Sequence, residues 1–201
     1  MNVSMKCISW LLLLSISGAV YGGCPVAPIN TPTEKAEKLS TQLLPVLMKC
    51  KESLPANDQS PCNFFVSQGL YIMWGVDDFG KGDGPFLTAN QIWDKVNSGN
   101  SNWKKLGIVL DEDNNLCAQS LANDGWPVIA VMKEVGGTGH VSLVIPGQPT
   151  ESSTWGMLSA NSANFRLNQP EASYVGSPLS KAFGKENANR AVFFYRSPIN
   201  L

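Results

Sequence analysis

Two residues of this chain have types and contexts that suit thiol chemistry, Cys62 and His140. Ser60 is a good N-cap and Pro61 suits the first helical position, so Cys62 is predicted in the first turn of a helix. Unpaired backbone N–H groups and the positive end of the helix dipole favour a thiolate there and lower the thiol pKa. His140 is the only histidine of the chain and heads an apolar run typical of a strand. The pair therefore predicts a nucleophile and its base.

Each residue taken alone has a simpler interpretation. A cysteine often packs as a small hydrophobe, and Cys62 shares its helical face with Phe65, Val66 and Gly69. A lone histidine is usually structural or solvated. Because each of the two occupies the context that thiol catalysis needs, the catalytic interpretation is favoured for the pair.

With both residues in view, the chain resembles the CHAP and NlpC/P60-type amidases and endopeptidases, papain-like enzymes that cleave amide bonds in bacterial cell-wall peptides. The matching segments lie between about residues 60 and 160: CNFFV from Cys62, QSLANDG from Gln119, PVIAV from Pro127 and GHVSLVIPG from Gly139. The resemblance implies an α+β, papain-like NlpC/P60-type fold, with N-terminal helices, including the Cys62 helix, packed on a central antiparallel sheet.

The third catalytic residue is not marked by any motif of that family, so it is predicted from strand pairing. A histidine base needs an acceptor on its other ring nitrogen to fix its tautomer and direction. If the chain turns between residues 146 and 153, antiparallel pairing brings residues 159–161 opposite His140. Asn161 has an amide oxygen that can accept the imidazole N–H and is the predicted residue. Glu151 and Asn164 are the alternatives.

The expected activity is that of a secreted cysteine hydrolase acting on peptidoglycan stem peptides. Cys62 would attack the amide carbonyl, and His140 would hold the proton and return it to the leaving amine. Backbone N–H groups at the start of the helix would stabilise the oxyanion. Gln119 is either an extra donor or a surface helix residue. Acyl transfer or deamidation by the same pair, and an inactive cell-wall-binding module using exposed aromatic residues, are the alternatives.

Composition bounds the partners and domains. The chain has 201 residues, enough for one domain with a sizeable core, a net charge of −1 and only 15% charged residues. It has no basic stripe for nucleic acid. The loop 75–85 lacks the ligand alternation of a calcium loop and is predicted to be solvated beside the site, with no metal and no cofactor. The expected partners are a peptidoglycan peptide and an inhibitor or immunity protein, with the chain itself a monomer.

Residues 1–22 have the form of a secretory signal peptide, with Lys6 before a short apolar stretch and small residues after it. They are followed by a lead with an amphipathic helix, 23–57, and by the predicted hydrolase domain, 58–201. The expected location is secreted or periplasmic. Cys24 stands where a lipoprotein cysteine could stand, although Tyr21 fits that signal poorly.

Export limits the pairing of the cysteines. Cys7 leaves with the signal, and a catalytic Cys62 must stay free, so one disulfide at most is expected. Either Cys50 pairs with Cys117, or Cys24 pairs with one of those two. The sequence leaves both options open.

Local patterns predict the elements that position the two residues. Capping and apolar spacing predict a helix of about five turns from residue 32, interrupted near Pro45, and a shorter one after Thr88. Another helix is predicted over 117–123. Strands are predicted over 127–133 and 140–145, forming the central hairpin, and over 191–196, with a further strand starting at 155–158.

Overall fold

The computed structural model describes residue 24 and residues 39–52, 61–82, 85–166 and 168–196, so the predicted signal peptide lies outside the described residues. The helices are α1 (Leu44–Glu52), α2 (Pro61–Trp74), α3 (Ala89–Val96), α4 (Glu112–Asn123) and α5 (Lys185–Ala188). The strands are β1 (Trp103–Ile108), β2 (Val128–Met132), β3 (His140–Val144), β4 (Thr150–Ser152), β5 (Met157–Ser159), β6 (Asn161–Asn164), β7 (Tyr174–Pro178) and β8 (Val192–Arg196).

Six of the strands form one sheet in the order β1-β8-β2-β3-β6-β7, and β4 pairs with β5 in a separate hairpin. All pairs between neighbouring strands are antiparallel. The protein is therefore of the α+β class, as predicted. The hairpin of β2 and β3 lies at the centre of the sheet, which confirms the interpretation of its two apolar runs.

Alternation of side chains along β3 divides the core into two parts. Val141 and Leu143 face α2 and pack with Phe65 and Leu70. Val144 faces the other side and packs with Leu121 of α4. We call these two sides of the sheet the α2 face and the α4 face.

Gly69 sets how closely α2 approaches the sheet. A Cβ atom at this position would meet the end of the Leu143 side chain, so the glycine lets helix and strand lie close together without displacing that leucine. Cys62 lies on the same helix as Gly69. The contact between Gly69 and Leu143 therefore sets where the first turn of α2 lies along β3.

The helix starts follow the local signals only in part. Pro61 is the first residue of α2, as predicted. The box at α3 is confirmed, since the Thr88 hydroxyl accepts from Gln91 N–H and the Gln91 side chain accepts from Thr88 N–H. Helix α4 begins at Glu112 rather than at residue 117, because the Asp111 side chain caps it by accepting from Asn114 N–H.

The predicted interruption near Pro45 is observed as a change of helix type. One π-helical turn, Leu39–Leu43, leads directly into α1. Proline has no N–H to donate to the preceding turn, which favours an irregular turn at this point. The first part of the predicted helix, including Thr31, lies outside the described residues.

The glycine-rich loop after α2 is only partly the solvated loop that was predicted. Asp77 forms an exposed ion pair with Lys81. Asp78, by contrast, accepts from Arg196 Nε at 2.7 Å and from Trp103 Nε1 at 2.8 Å, with only 17% of its side chain exposed. Asp78 therefore fastens the loop to β1 and β8. No helix within the described parts of the chain combines the length and apolar character needed to cross a membrane.

Candidate functional site

His140 is held by an asparagine on the neighbouring strand. Its Nε2 lies 2.9 Å from Oδ1 of Asn164, which is fully buried in β6. An amide oxygen can only accept, so this bond places the imidazole proton on Nε2 and the lone pair on Nδ1. Nδ1 is therefore the ring nitrogen left without a partner among the described residues.

The surroundings of the ring keep it neutral. Phe183 packs edge-on against His140, with ring centroids 5.0 Å apart, and leaves only part of the imidazole exposed. Burial lowers the pKa of His140 from 6.5 to about 4, against the raising effect of the Asn164 hydrogen bond, and the positive charge of Arg166 lowers it further. At neutral pH the ring is therefore available to accept a proton.

Asn164 is only half satisfied. Its Nδ2 is buried and has no hydrogen-bond partner in the described part of the chain. Leaving such a donor unpaired costs about 1–3 kcal/mol, and an uncompensated group of this kind in a native protein calls for an explanation. A requirement to hold His140 in one direction would explain why the asparagine is tolerated there.

The prediction that Asn161 orients His140 is wrong. Asn161 donates from Nδ2 to the Pro146 carbonyl at 2.9 Å, away from the imidazole. The reason is the register of β3 and β6, which pairs Leu143 with Ala163 and Val144 with Ser162. The hairpin of β4 and β5 takes up much of the connection between the two strands and shifts the pairing from the predicted one.

Of the two alternatives named beside Asn161, the structure brings Asn164 to His140. The other, Glu151, lies in the β4–β5 hairpin with an exposed side chain. Phe183 and Arg166 were not predicted at all. No local pattern marks either residue, because their proximity to His140 arises from the folding of distant segments.

Gln119 is not available as an oxyanion donor. It is 2% exposed, and its Nε2 donates to the Ile145 carbonyl and to Asn123 Oδ1, both at 3.0 Å. Its Oε1 accepts from Asn161 N–H at 2.7 Å. Gln119 therefore joins α4 to β3 and β6 at the point where the two strands separate, which is neither of the two roles predicted for it.

The backbone of Cys62 lies in the first turn of α2, as predicted, while its side chain lies outside the described residues. Neighbouring contacts show which end of the sheet this turn approaches. Asn63 Nδ2 donates to the Leu87 carbonyl at 2.6 Å. Ala89, two residues after Leu87, lies against Gly139. Gly139 immediately precedes His140. The start of α2 and the start of β3 are therefore at the same end of the sheet.

Spacing along the two elements agrees with this placement. From the contact between Gly69 and Leu143, Cys62 is seven residues back along the helix and His140 three residues back along the strand. Both distances are about 10 Å at the usual rise per residue. The two residues also lie on opposite faces, since α2 covers Val141 and Leu143 while His140 points to the α4 face with Phe183.

The remaining cysteines resolve the pairing that the sequence left open. Cys24 and Cys117 form a disulfide, which links the N-terminal lead to α4. Cys24 is therefore not a free thiol for lipidation in this form of the protein. Cys50 is free but buried, and burial raises the pKa of its thiol to about 11. Cys50 is accordingly expected to be unreactive.

No group of three or more His, Cys, Asp or Glu side chains within the described residues is arranged to hold a metal ion. No model of a known family and no curated protein matches this chain.

Proposed function

We propose that this chain is a papain-like cysteine hydrolase that cleaves amide bonds in peptidoglycan stem peptides, with Cys62 as nucleophile, His140 as base and Asn164 as the residue that orients the base. The observation that carries the proposal is the hydrogen bond between His140 Nε2 and the buried Asn164 Oδ1. With Nε2 engaged in that bond, Nδ1 is the ring nitrogen left to accept a proton, and His140 lies at the end of the sheet where the Cys62 helix begins. The export and wall substrate are part of the same proposal and rest on the sequence.

The chemistry follows from the two ends of the site. The first turn of α2 has backbone N–H groups without helical partners, and the helix dipole favours a Cys62 thiolate there. His140 Nδ1 takes the thiol proton, and the sulfur attacks the amide carbonyl. The imidazolium returns that proton to the leaving amine, giving a thioester and a free amine. Water, losing a proton to His140, then hydrolyses the thioester to a carboxylic acid and restores the thiol.

The oxyanion is assigned to backbone donors alone. With both Gln119 donors occupied, the N–H groups of Cys62 and Asn63 are the candidates, since Pro61 has none. A side-chain substitution at Gln119 should therefore act through stability and not through loss of an oxyanion contact.

Wall binding without catalysis is less well supported. Three of the tryptophans are buried: Trp74, Trp103 and Trp155. Tyr71 is the aromatic residue that stands exposed among the described residues, at 46%. A binding surface made of exposed aromatic residues therefore has little support in this part of the chain.

Digestion of purified peptidoglycan by the mature protein, with mass spectrometry of the released muropeptides, tests the proposal. Cys62→Ala and His140→Ala should each reduce cleavage at least about a hundredfold, as typical losses for such residues are larger still. Cys50→Ala is the matched control and should retain cleavage. A Cys62→Ala protein that keeps more than about a hundredth of the activity would show that the nucleophile is another residue. Water incorporated at the cleaved carbonyl distinguishes hydrolysis from acyl transfer.

Alkylation of the native protein provides a test that does not depend on the substrate. Iodoacetamide near neutral pH should label Cys62, whose helix position favours the thiolate. It should label Cys50 only after denaturation, because that thiol is buried and its pKa is raised to about 11. Peptide mapping identifies the labelled residue. Equal labelling rates for the two would contradict the proposed activation of Cys62.

A further inference from the structure

The positive charge of Arg166 lies close to the candidate base, His140. In the pairing of β3 with β6, Leu143 is opposite Ala163 and Val144 is opposite Ser162. This pairing ends at Leu143 and Ala163. Beyond it the His140–Asn164 hydrogen bond joins the two segments, and Arg166 follows two residues after Asn164. Phe165, between Asn164 and Arg166, packs on the α2 face. Alternation therefore puts Arg166 on the α4 face, where Asn164 meets His140, and the charge of Arg166 acts on the imidazole.

Arg166 is anchored but not neutralised. Its backbone N–H donates to Ser173 Oγ at 2.8 Å, and its Nη1 donates to Gln169 Oε1 at 2.9 Å. The side chain is partly buried, and no carboxylate of the described residues forms an ion pair with it. Most of the guanidinium donors are therefore available to a ligand.

The charge of Arg166 acts on the groups around it. It lowers the pKa of His140 and, as a minor effect beside burial and the Ser162 hydrogen bond, that of Tyr174. Lys181 lies over the Tyr174 ring, 6.0 Å from its centroid, and adds a second positive charge on this side. This part of the α4 face is consequently positive beside a neutral imidazole, although the chain as a whole has a net charge of −1.

We infer that Arg166 is a substrate-binding residue that takes a free carboxylate of the peptide next to the scissile amide. The inference rests on the proposed function and adds to it a substrate class, acidic peptides in preference to their amidated forms. A guanidinium binds a carboxylate through two parallel hydrogen bonds, and such charge-assisted bonds are stronger than neutral ones. An amide in place of the carboxylate removes both the charge and one acceptor.

The test uses the Cys62→Ala protein, so that peptides bind without being cleaved. Matched synthetic stem peptides, each with one carboxylate free or amidated, are titrated while the imidazole resonances of His140 are followed by NMR. Because His140 is the only histidine, its signals need no assignment. One free-acid peptide should bind about tenfold or more tightly than its amidated partner. Arg166→Gln should abolish that preference, and Arg166→Lys should retain part of it.

Lys105→Gln is the charge-matched control. Lys105 is exposed on the edge strand β1, three strands from β3 in the sheet, and its substitution should leave the preference unchanged. If Arg166→Gln weakens the binding of the free-acid and amidated peptides equally, or changes the binding of neither, the assignment is overturned. Failure of the proposed function would show instead as intact muropeptides after digestion by the wild-type protein, whatever the binding preference. Unchanged thermal unfolding of Arg166→Gln confirms that a lost preference is not due to misfolding.

Discussion

Replacing Asn164 by alanine tests whether Asn164, and not Asn161 on the same strand, orients His140. The change removes the acceptor from His140 Nε2 and leaves that N–H in a mostly buried position. Losing the hydrogen bond and leaving the mostly buried Nε2–H unpaired would together cost roughly 2–4 kcal/mol of stability. The wild-type Asn164 Nδ2 is already unpaired, so its removal returns about 1–3 kcal/mol. The net loss of stability is therefore expected to be only about 1–2 kcal/mol.

Asn161→Ala is the matched control. It removes one hydrogen bond, from Nδ2 to the Pro146 carbonyl, and should also cost about 1 kcal/mol. The two variants should thus have similar stability by urea unfolding. Their turnover should differ, because only Asn164→Ala frees the imidazole. We expect a loss of at least about tenfold for Asn164→Ala, the scale on which orienting residues act, and little change for Asn161→Ala.

Nitrogen-15 NMR of the imidazole measures the cause directly. The wild-type protein and Asn161→Ala should show the tautomer with the proton on Nε2, whereas Asn164→Ala should show a mixture of both tautomers. Alkylation of Cys62 should persist in both variants. Full turnover by Asn164→Ala, or equal losses in the two variants, would refute the role given to Asn164.

Two further predictions concern stability. His140 has a pKa of about 4 in the folded protein and about 6.5 in the unfolded chain, so the unfolded state binds more protons between these pH values. The free energy of unfolding should therefore rise with pH across that window, by on the order of 3 kcal/mol in total. In urea titrations, His140→Gln should flatten this rise between about pH 5 and 6.5. Asp78→Asn should cost about 3 kcal/mol, because it removes the negative charge from a mostly buried ion pair. Asp77→Asn, at an exposed ion pair, should cost less than about 1 kcal/mol. Equal midpoints of urea unfolding for the two variants would contradict this difference.

The features that the sequence predicted correctly depend on interactions within a few residues. Proline at the first helical position and the reciprocal bonds of Thr88 and Gln91 are complete within one turn, so their residue types suffice to locate α2 and α3. The apolar runs of β2 and β3 likewise predict a buried hairpin, because residues covered on both faces must be apolar throughout. The candidate nucleophile and base were identified from these local contexts.

Strands β6 and β1 had no such signal. Strand β6 consists of Asn-Ser-Ala-Asn, and its polar side chains form hydrogen bonds with other segments, such as Ser162 with Tyr174 and Asn164 with His140. Strand β1 lies at the edge of the sheet, where exposed lysines interrupt the apolar pattern. Their secondary structure depends on what they pair with, and only the folded chain supplies those partners.

The residues around the imidazole were decided by tertiary structure in the same way. The β4–β5 hairpin sets the register that gives Asn164, and not Asn161, to His140. Arg166, two residues after Asn164, brings its charge close to the ring, and Phe183 contacts the ring from a later segment. Cys24 finds Cys117 across 93 residues of sequence. Residue types can indicate a candidate cysteine, histidine or acceptor. Which of them come into contact depends on the path of the long segments between them, and only the whole fold determines that path.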